Sequence, residues 1–108
     1  MIVTDSFGRP WRAGTTDVAI GAAGLAPLRD LRGTPDRSGT LLRSTQVAVA
    51  DELAAAADLV RVGKADGIPV VVVRGVRLDG DVDGSAQELL MPPERDLFRA
   101  DPHTPGDP

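Results

Sequence analysis

At 108 residues the chain has room for one domain, near the size at which burial only narrowly offsets chain entropy, and none for a second independent core. Aromatic residues make up 3% of it, so the core must come from Ala, Val, Leu and Ile, which favour close backbone packing or burial against another chain. A net charge of −4 argues against a nucleic-acid or anionic-membrane surface, and the absence of cysteine excludes disulfides, thiolate metal sites and a thiol nucleophile.

Residues 2–4 (Ile-Val-Thr) predict a short buried strand, and residues 5–16 a loop punctuated by Gly8, Pro10 and Gly14. Residues 18–23 are small and apolar and predict a second strand, with Gly21 and Gly24 marking close backbone approach. After a turn-rich connector over 33–39, residues 41–45 suit a third strand. From Gln46 to about Val62, Val49, Leu53, Ala56, Ala57 and Val60 recur at helical spacing; Ser44 or Thr45 can cap the start and Gly63 can end it.

Residues 64–67 then predict a tight loop, and Pro69 opens four consecutive valines (70–73), a strand expected to be buried on both faces. A short helix is expected over 85–90, and the tail, 100–108, is expected to be disordered. No apolar run nears the roughly 20 residues that span a bilayer, and Met1 leads into no signal-type segment, so a cytoplasmic protein without membrane contact is expected.

The chemistry gathers near the start. Asp5 and Ser6 offer a carboxylate and a hydroxyl side by side, a donor set for Mg²⁺ or Mn²⁺; the competing reading is an Asx-type turn leaving the strand. Arg9 and Arg12 can grip phosphate or carboxylate, and Asp17 can pair with one of them instead of touching substrate. Gly63-Lys64 is not a Walker loop, because the glycine required five residues earlier is Asp58, yet Gly63 and Gly67 around Asp66 can present backbone N–H groups to a nucleotide. Asp79, Asp81 and Asp83 with Gly84 match half of a calcium loop, but its twelfth position is Leu90, so a solvated acidic turn is the default. His103 stands in the tail with no partner in view.

Taken together, residues 4–12 (TDSFGRPWR), 17–25 (DVAIGAAGL), 47–60 (VAVADELAAAADLV), 64–75 (KADGIPVVVVRG) and Asp96-Leu97-Phe98 resemble the coenzyme F-420-0:gamma-glutamyl ligase family, in the family's order and with similar spacing. The resemblance covers most of residues 2–99, the C-terminal part of such a ligase domain. It implies GTP-dependent joining of L-glutamate to the deazaflavin coenzyme precursor through an acyl phosphate. By resemblance, Asp5 and Ser6 occupy the family's metal-ligand pair, Gly63, Lys64, Asp66 and Gly67 lie in the loop over the nucleotide, and Arg9 or Arg12 faces phosphate or substrate. Arg61-Val62 replaces the family's usual Met before Gly-Lys.

The expected fold is α+β: a mixed sheet of short strands with one dominant helix, packing against a missing N-terminal half or a partner in a homodimer. Two readings stand: a part of a glutamate ligase that needs the rest of the domain, or a catalytically inactive remnant serving as a dimerisation or regulatory module.

Overall fold

A computed structural model describes residues 1–61, 65, 67–78 and 84–97. The fold is α+β, built on a long antiparallel hairpin of β1 (Ile2–Arg9) and β2 (Arg12–Ala22), with a second two-stranded ladder of β3 (Arg29–Asp30) and β4 (Gln46–Val47) and one helix, α1 (Val49–Asp58). Single-turn 3-10 helices stand at Ala86–Leu89 and Pro93–Arg95.

The hairpin overturns the loop expected over residues 5–16. Thr4, Ser6 and Arg9 are half-buried while Val3, Asp5 and Phe7 are exposed, and Thr15 and Thr16 suit a pleated surface, so the segment carries strand periodicity that its glycines conceal. Pro10 and Trp11 make the turn, with Trp11 at a φ of 59°, and Gly14, at 87°, absorbs the irregularity beside Arg9. A bulge between Val3 and Thr4 leaves Ile20 without a cross-strand partner. The Ala19 N–H beside it donates to the Asp51 carboxylate at 2.9 Å, which ties β2 to the helix.

The helix is shorter than its apolar period suggests, at both ends. Gln46 and Val47 pair with Asp30 and Arg29, and the Thr45 carbonyl accepts from Leu31 N–H, so long-range pairing claims the residues that would have opened the helix. Neither Ser44 nor Thr45 caps it; Ala48 stands at the cap position without a side-chain bond, and the Pro27 carbonyl accepts from Ala50 N–H instead. At the far end the bonds tighten to i→i−3 from Leu59, Val60 and Arg61. The buried face is Val49, Ala50 and Ala54, whereas Ala56 and Val60, expected inside, are exposed. The small side chains of Ala50 and Ala54 let β2 lie close, and that approach sets the face.

Apolar burial is slight: Leu25, Val49, Ala50 and Ala54 with Pro27 are the buried apolar residues among those described. The chain exposes 8717 Å², where a compact chain of its mass exposes roughly 5,700 Å². The valines at 70–73 form no strand and are not buried on both faces; Val70 is 75% exposed and Val72 70%. Residues 41–45 likewise form no strand beyond a single bridge between Leu41 and Pro35.

The helix expected over 85–90 exists as a 3-10 turn with a reciprocal cap: Ser85 Oγ accepts from Gln87 N–H and the Glu88 carboxylate accepts from Ser85 N–H. Just before it, Gly84 N–H donates to the Leu25 carbonyl at 3.0 Å, and a Cβ at Gly84 would stand 2.6 Å from Pro27 Cδ. Gly84→Ala should therefore cost about 1–3 kcal/mol of stability, read by urea denaturation, because the proline ring cannot yield as a flexible side chain does. The Arg32 guanidinium holds the Asp30 carboxyl down at about 2, and the same fork braces the turn after β3.

Candidate functional site

A polar cleft of about 210 Å³ opens where β1, β2 and the end of α1 converge, lined by Thr4, Asp5, Ser6, Asp17, Asp58, Arg61 and Ile68. The hairpin register makes it: Ser6 faces Asp17 across the ladder and Thr4 faces Ala19, so the residues of β1 that turn inward carry hydroxyls and meet an acid. The Thr4 hydroxyl donates to Asp17 Oδ2 at 3.1 Å. Arg61, brought back over the hairpin by the tightened helix end, reaches Asp17 Oδ2 at 3.4 Å and Thr4 Oγ1 at 3.5 Å.

Asp17 is the buried charged residue of the described chain, 6% exposed. Its cation is Arg61, which corrects the expected pairing with Arg9 or Arg12. Arg61 Nε is itself buried and has no hydrogen-bond partner. The cleft therefore holds its charge unevenly, with one guanidinium against the carboxylates of Asp5, Asp17 and Asp58.

Asp5 and Ser6 lie in mid-strand, not at the strand end where the sequence put them. Consecutive strand residues project to opposite faces, and here Asp5 is exposed while Ser6 is half-buried, yet both border the same cleft. Asp5 Oδ1 accepts from Ser6 N–H at 2.8 Å, a bond to the adjacent amide and not the two-residue reach of the Asx turn that the sequence offered as the competing reading. Gly67, at a φ of 65° that side chains rarely adopt, immediately precedes Ile68 on the cleft wall. Gly63, Lys64 and Asp66 lie outside the described residues, as do Asp79, Asp81, Asp83 and His103.

Arg9 and Arg12 are paired across the hairpin tip and do not line the cleft; four steps along the strand, roughly 13 Å, separate Arg9 from Asp5. Arg9 Nη2 donates to the Ala13 carbonyl at 3.1 Å, and its Nε is buried without a partner. The sequence reading missed Thr4, Asp58, Arg61 and Ile68. The available signal was the i, i+2 spacing of Thr4 and Ser6 and the i, i+3 spacing of Asp58 and Arg61 at a helix end, which means little until the hairpin register is known.

Carboxylate and hydroxyl oxygens are the right donors for a hard cation. Among the described residues, however, no three or more His, Cys, Asp or Glu side chains gather closely enough to hold a metal alone.

The F420-0:gamma-glutamyl ligase family model matches residues 1–75, which contain every residue lining this cleft. The chain belongs to that family. It is 50% identical over 105 residues to the coenzyme F420:L-glutamate ligase of Methanothermobacter thermautotrophicus and 45% identical over 100 residues to that of Methanocaldococcus jannaschii. A ligase of the same name from Methanococcus maripaludis is 42% identical over 99 residues. Each match takes in 92% of this chain, while the chain spans only about 40% of the length of these relatives. Among the described residues no helix is long and apolar enough to cross a membrane.

Proposed function

We propose that this chain supplies the Asp5–Ser6 cation site and the Gly63–Gly67 nucleotide loop of a GTP-dependent ligase that joins L-glutamate to coenzyme F420-0. The observation that carries the reading is the cleft itself: it brings Asp5 and Ser6 to the wall formed by Ile68, next to Gly67, inside the segment that matches the family. The relatives, named as ligases, favour this over an inactive dimerising module.

A carboxylate does not react with an amine until one of its oxygens is phosphorylated and so made able to leave. In the proposed reaction a carboxylate oxygen of the coenzyme precursor attacks the γ-phosphorus of GTP and GDP departs. The glutamate nitrogen, having lost its proton, then attacks the acyl carbon; phosphate leaves and an amide bond remains. Bound Mg²⁺ or Mn²⁺ would supply neutralisation of the phosphate charge.

Asp5 and Ser6 would hold that cation, Asp17 would keep Thr4 and Arg61 in place beside it, and the Gly67 backbone would let the loop approach phosphate. Arg9 and Arg12, at the hairpin tip, would meet a phosphate or substrate group that extends outward along β1. Because the donors present are too few for the cation, the remaining ones would come from phosphate, water and the part of the domain that this chain does not match.

The test is calorimetry and thermal melting with GTP in the presence and absence of Mn²⁺, on this chain and on its assembly with the rest of a ligase domain, followed by mass spectrometry for glutamylated product. A melting shift by GTP that needs Mn²⁺, reaching about 2.7 kcal/mol at a hundredfold excess over Kd, is expected together with product from the assembly. GTP without effect in both preparations would overturn the reading.

A further inference from the structure

We infer that the apolar groove between α1, the start of β1 and residues 68–78 is the seat of a strand from the portion of the ligase domain that this chain does not match. The groove measures about 600 Å³ and is walled by Ile2, Leu25, Leu53, Ala57, Val71 and Val76. Its outer rim is unfinished. Among the described residues, no backbone group from 67 to 78 forms a hydrogen bond except the Arg77 carbonyl, which accepts from the Arg29 guanidinium. Backbone amides left this way in an apolar stretch call for a partner ladder.

The side chains agree with a strand. Four valines in a row have high strand preference; Val71 is half-buried in the groove, Val70 borders the groove while staying 75% exposed, and Val72 lies outside its lining at 70% exposure. Ile68, Val73, Val76 and Leu78 are exposed as well, so the apolar patch is continuous along the segment. An added strand would pair with this backbone, and its own apolar side chains would fill the groove beside Val71.

Two observations choose the occupant. The relatives align with this chain over 92% of its length, yet more than half of each relative lies outside the match, and that remainder is what is available to cover the patch. A second copy of this segment fits poorly, because residues 67–78 contain no carboxylate and would bring Arg74 and Arg77 no acidic partner. Neither arginine side chain has an acidic partner among the described residues, so the incoming strand should carry alternating apolar residues flanked by carboxylates.

This inference rests on reading the chain as part of a ligase domain, but its test measures association and not turnover, so each can fail without the other. The tagged chain is co-expressed with the unmatched portion of the Methanothermobacter thermautotrophicus relative, and the purified material is sized by sedimentation and probed by hydrogen exchange. Expected is a one-to-one complex in which the amides of residues 70–73 exchange at least about tenfold more slowly than in the chain alone.

Val71→Asp should abolish co-purification. Val70→Thr with Val72→Thr, at positions already open to solvent, should leave the circular dichroism of the free chain unchanged and weaken the complex at least about tenfold. Absence of a complex, a complex without protection at 70–73, or concentration-dependent protection in the chain alone would each overturn the inference, the last in favour of a second copy.

Discussion

Asp17→Ala should destabilise the chain by about 2 kcal/mol in urea denaturation, one of the largest losses available from a single side chain here. The carboxylate is 8% exposed and serves two donors, the Thr4 hydroxyl and the Arg61 guanidinium, and its removal takes that acceptor from both in a part-buried setting. Breaking a fully buried pair typically costs 3–5 kcal/mol, but the 3.4 Å separation and the 23% exposure of Arg61 place this one lower. Arg61→Met should cost a comparable amount, because it leaves the Asp17 carboxylate, the more deeply buried of the two charges, without its cation and with the Thr4 hydroxyl as its donor. The double variant should accordingly lose clearly less than the sum of the two losses, because each change removes the charge that the other would strand. Strict additivity within about 0.3 kcal/mol would show instead that the ion pair is idle and that Thr4 alone matters.

What was legible in the sequence follows the range of the interactions involved. The 3.6-residue period announced α1, and residues 85–90 read as a short helix where a 3-10 turn stands, because both signals lie within a few residues. The hairpin was hidden because glycines and a proline punctuate residues 8–14 while cross-strand register, not composition, decides pairing. The ends of α1 were misjudged for the same reason, since the ladder between Arg29–Asp30 and Gln46–Val47 is a contact across the connector. Residues 70–73 read as a buried strand because their side chains suit one; in the chain alone they have no ladder to join. At the site, Asp5, Ser6 and Gly67 were visible as residue types, whereas the Thr4–Asp17–Arg61 cluster requires the register of one hairpin and the tightened end of one helix at once.

Asp5→Ala should weaken Mn²⁺ binding by the assembled enzyme at least about a hundredfold, with a matching loss of Mn²⁺-dependent GTP turnover. The residue is exposed and its carboxylate accepts from the next amide, so the substitution should move stability by no more than about 0.5 kcal/mol and the loss can be assigned to the site. Ser6 provides the contrast. Ser6 borders the same cleft, half-buried and opposite Asp17 in the ladder, and offers a neutral oxygen, so Ser6→Ala should cost about tenfold and Ser6→Thr, which keeps the oxygen, close to nothing. An equal loss from Asp5→Ala and Ser6→Ala would mean that the two side chains act as one chelating unit, which requires the strand to re-form around the cation. Unchanged Mn²⁺ affinity in Asp5→Ala, measured by isothermal titration, would move the cation away from β1 and leave the cleft with Asp17 and Asp58 as its acids.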